Sequence, residues 1–242
     1  MVTFARAMSL DVHTVRQAGI GGLMHDLGKM LMPDEVLNKP GKLTESEFAL
    51  IKRHPEEGHR LLVESGEFGD IPLDITLHHH ERIDGSGYPH KLPSERITLL
   101  AKIDAIVDVY DAITSDRCYH KGLPPTDALR KLFEWSKYHF EEKLVHQFMR
   151  TIGIYPVGTL VRLESGRLGV VTEQTAGNVL APRVRVFFSA RSNCYIKPEL
   201  IDIARGSDCI AGHELPAQWG LDPARFLWIG SSHSARLSSC TL

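Results

Sequence analysis

Six side chains that commonly bind metal ions recur in the first half of the sequence. They are, in chain order, His25, Asp26, His54, His79, His80 and Asp108. A mixed set of imidazole and carboxylate ligands suits first-row metals such as iron, manganese or zinc, rather than calcium or magnesium. An unpaired carboxylate in the apolar stretch AIVDVY would be costly to bury, and a bound cation removes that difficulty. The residue types therefore indicate metal-assisted chemistry, in which a carboxylate between two metals can bridge them.

Each of these residues lies on or at the end of a predicted helix, and helical bundles build metal sites from inward-facing side chains on several helices. Apolar spacing predicts a helix over residues 11–32, which Pro33 ends. Thr44 and Glu47 form a capping box that opens the next helix. Pro55 fits the first turn of a further helix. The stretch IPLDITLHHHE predicts another helix, which the DGSG turn sequence after it cannot continue.

The stretch ITLLAKIDAIVDVYDAITSD is strongly helical and mostly apolar, yet it carries three acids. Helical spacing places Asp104, Asp108 and Asp111 along one face. A last helical region is predicted from Thr126 to about Ile152.

Beyond residue 155 the pattern changes to alternation, in TLVRLESGRLGVVTE and in RVRVFF, which favours short strands. The predicted fold class is therefore mainly α, a helical bundle with a small C-terminal β module. We expect a helical domain over residues 1–152, a β-rich module over 153–205 and a partly disordered extension over 206–242. The end of that extension is rich in serine and has little apolar periodicity.

Composition excludes several classes of protein. The 242 residues suffice for one domain, with or without a small module. A net charge of -2 provides no overall basic field for nucleic acid. The four cysteines lie far apart, as expected of free thiols in a reducing cytosol. No apolar run approaches the roughly 20 residues that span a bilayer, and the N-terminus is not a secretory signal. We therefore expect a cytoplasmic protein without a membrane segment or a nucleic-acid partner.

Four stretches carry the metal-binding residue types in a fixed order: HDLGK (residues 25–29), HPEEG (54–58), HHERIDGSGYP (79–89) and IVDVYDAITSDRCY (106–119). In order and spacing they resemble the HD-GYP phosphodiesterases, a branch of the HD metal-dependent phosphohydrolases. The resemblance covers roughly residues 1–152 and implies an HD-domain helical bundle. The family's substrate is cyclic di-GMP, a bacterial second messenger, which is opened to pGpG and in some members cleaved to GMP. The β module resembles the C-terminal extension of some HD-GYP proteins.

The resemblance also implies roles for individual residues. The implied ligands of two or three divalent ions, iron or manganese, are His25, Asp26, His54, His79, His80 and Asp108, with Asp26 as the bridging carboxylate. Asp26 and Lys29 are implied to be catalytic, and Lys29 is implied to contact the substrate phosphate. The implied substrate-binding residues are Lys29, Asp84, Gly87, Tyr88, Pro89 and Arg117.

The chain departs from the family pattern at two places. A further metal-binding residue, usually histidine, is expected by spacing before Met1, and His13 lies too close to His25 to replace it. The chain reads RCYH where family members often have RPYR. One alternative is therefore a catalytically impaired protein that senses cyclic di-GMP or docks onto a partner. Another is a metal phosphohydrolase for a different nucleotide or phosphoester. A homodimer, or docking to other signalling proteins, is the expected kind of assembly.

Overall fold

The protein is described by a computed structural model over residues 1–116, 122–175 and 178–227. The chain divides into two compact units. The first unit comprises Met1–Leu123 and Ala128–Thr151, and the second comprises Pro124–Asp127 and Ile152–Leu242. The described residues combine helices with one five-stranded antiparallel sheet.

Most helices precede the sheet in the chain. They are α1 (Val2–Ala7), α2 (Val12–Met24), α3 (Asp34–Leu37), α4 (Glu45–Ile51), α5 (His54–Ser65), α6 (Asp70–His78), α7 (Leu99–Thr114), α8 (Pro125–Trp135), α9 (Glu142–Ile152) and α10 (Pro216–Trp219). Short 3-10 helices occupy Leu27–Leu31, Ser94–Arg96 and Pro223–Phe226. Over the described ranges, no helix has both the length and the apolar character needed to cross a membrane.

Helix starts follow the predicted local signals. At α4, the Thr44 hydroxyl accepts from the Glu47 amide at 3.3 Å, and the Glu47 carboxylate accepts from the Thr44 amide at 2.7 Å. The predicted capping box is therefore confirmed. Helix α5 begins at His54 with Pro55 in its first turn, also as predicted, and it ends at Gly66 with a φ of 69°.

The helix predicted over residues 11–32 is shorter in the structure. It ends at Met24, and a 3-10 helix follows at Leu27–Leu31. The His25 ring donates from Nδ1 to the Gly22 carbonyl at 2.8 Å. In a continuing α-helix this carbonyl would instead accept a hydrogen bond from a backbone amide four residues later. The prediction was wrong over these last residues because this side-chain hydrogen bond ends the helix there.

The core of the first unit brings α2 against α6. Ala18 and Ile75 are buried together, and a Cβ added at Gly21 would lie 2.6 Å from Ile75 Cδ1. A glycine is therefore needed for this close approach. Helix α7 buries Ile103 and Ile106 fully, which anchors the helix that carries the acidic residues.

The second unit contains the sheet, in strand order β4-β3-β2-β1-β5. The strands are β1 (Leu160–Leu163), β2 (Arg167–Thr175), β3 (Asn178–Ser189), β4 (Cys194–Asp202) and β5 (Ile210–His213). Two apolar clusters form the core of this unit, one containing Phe187 and Phe226 and the other containing Val161 and Val184. The Phe187 and Phe226 rings stack with centroids 3.9 Å apart.

The sheet continues beyond residue 205, the predicted end of the β module. Strand β5 pairs with β1, and Phe226 packs in the sheet's core, so residues 210–226 belong to this unit's structure. The predicted extension therefore begins too early, because its first part supplies a strand and core residues. Residues 228–242, which include most of the predicted disordered end, lie outside the described residues.

Candidate metal centre

Four chain segments that are distant in sequence meet at one point of the first unit. His25 follows the last residue of α2, and Asp26 precedes the 3-10 helix after it. His54 is the first residue of α5, His79 directly follows α6, and Asp108 lies within α7. Helix ends therefore position most of these side chains.

Four of these side chains offer ligand atoms that all lie within 4.8 Å of one another; they are Asp26, His54, His79 and His80. His25 Nε2 lies 3.4 Å from Asp26 Oδ2 and 3.7 Å from Asp108 Oδ1. Asp108 Oδ2 in turn lies 3.9 Å from His80 Nδ1. The structure thus brings all six sequence-predicted ligand residues together, and we call them the His/Asp cluster.

Three of the histidines share one orienting contact. Each donates from Nδ1 to the backbone carbonyl three residues earlier, at 2.8 Å for His25 to Gly22, 2.6 Å for His54 to Ile51 and 2.9 Å for His79 to Thr76. A carbonyl oxygen only accepts hydrogen bonds, so Nδ1 of each ring must carry the proton. In a neutral ring the other nitrogen, Nε2, then presents a lone pair. Metal-binding histidines in proteins are commonly oriented in this way.

The cluster contains polar atoms that only a shared cation or proton would satisfy. His54 Nε2 and His79 Nε2 lie 3.2 Å apart, where two lone pairs repel each other. Among the described residues, Asp26 Oδ1 is buried without a hydrogen-bond partner, although it lies 3.3 Å from His54 Nε2. A metal ion would accept electron pairs from all three atoms, so the residues present fit a metal site.

Burial and neighbouring charges shift the pKa values of the buried histidines and of Asp26. Burial, together with the charge of His25, lowers the pKa of His79 to about 3. Burial also lowers the pKa of His80 well below its ordinary value. Both rings are therefore neutral near pH 7, as a metal ligand must be. Burial opposes the charge of Asp26, but contacts with His25 and His54 outweigh it and hold the pKa of Asp26 well below its usual range.

The pKa of His25 is shifted upward, in the opposite direction from that of His79. Burial would lower its pKa, but contacts with Asp108 and Asp26 outweigh burial and raise the pKa of His25 to about 11. Without a metal, a protonated His25 therefore offsets part of the negative charge of the two carboxylates.

The loop predicted to bind substrate lies directly against the cluster. The Tyr88 ring stacks on the His80 ring with centroids 4.6 Å apart, and the Tyr88 amide donates to the His80 carbonyl at 3.3 Å. A Cβ added at Gly87 would lie 2.5 Å from the Glu81 Cα and 2.6 Å from the His80 oxygen, so this close approach requires glycine. Pro89 follows Tyr88 in the same loop and is partly buried.

The remaining predicted residues fall in different places. Lys29 Nζ lies 2.5 Å from Asp26 Oδ2, at the cluster. Asp84 instead accepts hydrogen bonds from Ser86 and lies 3.1 Å from His139 Nδ1. Arg117 lies outside the described residues.

Two buried acids that were not predicted as metal ligands lie beside the cluster. Glu81 is 2% exposed and accepts from the amides of His90 at 2.7 Å and Leu92 at 3.0 Å, which anchors the loop. Asp104 is 1% exposed, and burial raises its pKa to about 6. Its Oδ2 lies 3.9 Å from His25 Nδ1. The spacing of Asp104 one helical turn before Asp108 was the available signal.

Comparison with known proteins agrees with this geometry. The family model described as HD domain matches residues 1–144. A Pseudomonas aeruginosa protein named as a cyclic di-GMP phosphodiesterase is 49% identical over 236 residues, which cover 97% of this chain and 57% of that protein. The Xanthomonas campestris response regulator RpfG, also named as a cyclic di-GMP phosphodiesterase, is 42% identical over 60% of this chain and 39% of its own length. The chain thus spans little more than half of the first relative and less of the second.

Two further similarities concern substrate and fold. A Vibrio cholerae protein named 3'3'-cGAMP-specific phosphodiesterase 2 is 38% identical over 50% of this chain and 24% of its own length. Among solved structures, the Bdellovibrio bacteriovorus HDG"Y"P protein Bd1817 superposes with a TM-score of 0.51 and 23% identity, over 60% of this chain and 46% of that chain. That likeness shows a shared fold.

Proposed function

The chain is an HD-GYP-type protein of the HD domain family, and from that premise we propose that it is a metal-dependent phosphodiesterase that hydrolyses cyclic di-GMP. The observation that carries the proposal is the convergence of oriented imidazole nitrogens on the unpartnered oxygen of Asp26, next to the ammonium of Lys29. Such a site combines metal ligands with a cation for phosphate.

We propose that the six residues of the His/Asp cluster hold two divalent ions, iron or manganese, with Asp26 as the bridging carboxylate. Metals of this kind supply water with a lowered pKa and offset the negative charge of a phosphodiester. The neutral state of His79 and His80 near pH 7 supports this assignment, because protons do not compete for their nitrogens.

The chain's own residues bind and orient the substrate in this proposal. Lys29 would donate to a non-bridging phosphate oxygen, because its ammonium already lies at the carboxylate of Asp26. Fully buried His54 and His79 close the inner side of the cluster to solvent. The Tyr88 loop borders the side of His80. Water adds to phosphorus and the bond to one ribose oxygen breaks, which opens the ring to pGpG, and a second cleavage of the same kind gives GMP.

We further infer that the protein acts in the cytoplasm as a helical HD-domain bundle with a β appendage, as a homodimer or docked to signalling proteins. The relative named for 3'3'-cGAMP supports a second candidate substrate of the same chemical class, a cyclic dinucleotide.

The proposal is tested with anaerobically purified protein. Elemental analysis should find iron or manganese, and chromatography should show cyclic di-GMP converted to pGpG or GMP. Asp26→Ala should lose both metal and hydrolysis, because it removes the carboxylate at the centre of the cluster. Faster turnover of 3'3'-cGAMP would favour the second substrate. If the protein retains metal and binds cyclic di-GMP but does not hydrolyse it, the proposed enzymatic activity is refuted. The alternative of a cyclic di-GMP sensor would then stand.

A further inference from the structure

A cavity of about 650 Å³ lies in the first unit, between α3 and α4. Its size is within the roughly 300–1,000 Å³ typical of small-molecule pockets. Its apolar lining comes from Val36, Leu37, Leu43, Phe48 and Ile51. Such a lining can accommodate a flat, weakly polar group, and Lys29, Lys39 and Lys42 also line the cavity.

The cavity adjoins the His/Asp cluster through two residues. Lys29 lines the cavity and contacts Asp26 of the cluster at 2.5 Å. Ile51 also lines the cavity, and its carbonyl accepts the hydrogen bond that orients His54. A molecule with a phosphate at Lys29 can therefore extend directly into this cavity.

An aromatic ring and a cation stand between the cavity and the Tyr88 loop. Phe48 lines the cavity and is 44% exposed. Lys52 Nζ lies 4.5 Å from the centroid of the Phe48 ring and 5.6 Å from that of the Tyr88 ring. A cation between two aromatic faces is attracted to both, which helps to hold the Phe48 ring in place.

The cavity walls are fixed by contacts within the segment that forms them. Lys39, which lines the cavity, pairs with Glu47 of α4 at 2.7 Å. Thr44 and Glu47 cap the same helix. The cavity is thus formed without a ligand, which lowers the ordering cost of binding.

We propose that this cavity is the subsite for one purine base of the substrate, with Phe48 as the stacking ring. The inference rests on the proposed function, because it requires a nucleotide phosphate at the cluster. Stacking of a base on an aromatic side chain is worth about 1–3 kcal/mol by alanine substitution. A base held in the cavity would orient the phosphodiester at Lys29 and add affinity for the nucleotide.

The test compares Phe48→Ala with the wild-type protein. The KM for cyclic di-GMP should rise on the order of 10-fold, with a smaller change in kcat, because the lost contact binds the base. The ratio of kcat/KM for cyclic di-GMP to that for methyl p-nitrophenyl phosphate should fall, since the small diester has no base. Phe48→Trp, which keeps an aromatic ring at this position, should have a KM close to that of the wild-type protein. A matched control is Phe133→Ala on α8, which removes another partly exposed ring, 37% exposed, and should leave the KM unchanged.

The outcomes separate this subsite from the proposed function. If the wild-type protein hydrolyses cyclic di-GMP and Phe48→Ala has the same KM, the subsite is wrong and the activity stands. If the metal-loaded wild-type protein neither binds nor hydrolyses cyclic di-GMP, both are wrong. Should Phe48→Ala fail to fold, Phe48→Leu keeps the apolar bulk without the aromatic face. An unchanged KM in that folded variant overturns the subsite.

Discussion

Replacing Asp26 by asparagine removes one negative charge from the centre of the His/Asp cluster and preserves side-chain size. Asp26 Oδ1 lies 3.3 Å from His54 Nε2, and Oδ2 lies 3.4 Å from His25 Nε2. Asparagine places an amide where a carboxylate would share its electron pairs with a cation, so Asp26→Asn should bind divalent metal more weakly.

The magnitude follows from the charge that is lost. A unit charge about 4 Å from a divalent ion interacts with it by about 8 kcal/mol at an effective dielectric constant of about 20. The Asp26 side chain is 37% exposed, so solvent screening reduces this figure. A loss of about 3 kcal/mol corresponds to metal binding that is weaker on the order of 100-fold.

The assay is calorimetric titration of metal-free protein with Mn²⁺, for the wild-type protein and for Asp26→Asn. Asp34→Asn, at an exposed acid of α3, is the matched control and should bind metal like the wild-type protein. If Asp26→Asn binds Mn²⁺ within threefold of the wild-type affinity, the carboxylate does not contact the metal. The bridging assignment would then be withdrawn.

Three further predictions concern stability. Gly87→Ala should lower the free energy of unfolding by about 1–3 kcal/mol through overpacking against Glu81, and an unchanged urea midpoint would contradict the close approach. Phe187→Ala should lower the free energy of unfolding by about 3–5 kcal/mol, because the ring is fully buried in the sheet unit. The change should be measured as a lower denaturant midpoint. Hydrogen bonds from Lys39 and Thr44 lower the pKa of Glu47 to about 2, from an ordinary value of 4.5. Its stabilising effect should therefore be complete above pH 4.5 and disappear as the pH falls through 2. The difference in Tm between the wild-type protein and Glu47→Gln should shrink over that range, and a constant difference would exclude this titration.

The assembly of the cluster could be predicted from sequence because its members are expensive to bury alone. Asp108 in an apolar helix and adjacent histidines before a turn indicate a shared partner, and the structure brings these residues together. Their roles as ligands stay a prediction. The capping box of Thr44 and the helix start at Pro55 could be predicted because each signal is local in the chain.

Features that depend on distant or side-chain contacts escaped prediction. Helix α2 ends early because the His25 ring bonds the Gly22 carbonyl, which no propensity encodes. Strand β5 reads Ile-Ala-Gly-His without clear alternation, and it forms by pairing with β1, far away in the chain. The burial of Asp104 likewise depends on neighbouring helices.

If the His/Asp cluster holds divalent ions as proposed, its formation from four remote segments would link metal supply to the amount of protein in the cell. The side chains from His25 to Asp108 converge only when the first unit is assembled, so an ion there favours the assembled state by mass action. Under iron or manganese starvation the unfolded fraction should grow, and cellular proteases would remove it. A shortage of the metal ion would then lower the amount of the protein itself. Adding the ion back would restore hydrolysis only as fast as new protein is synthesised.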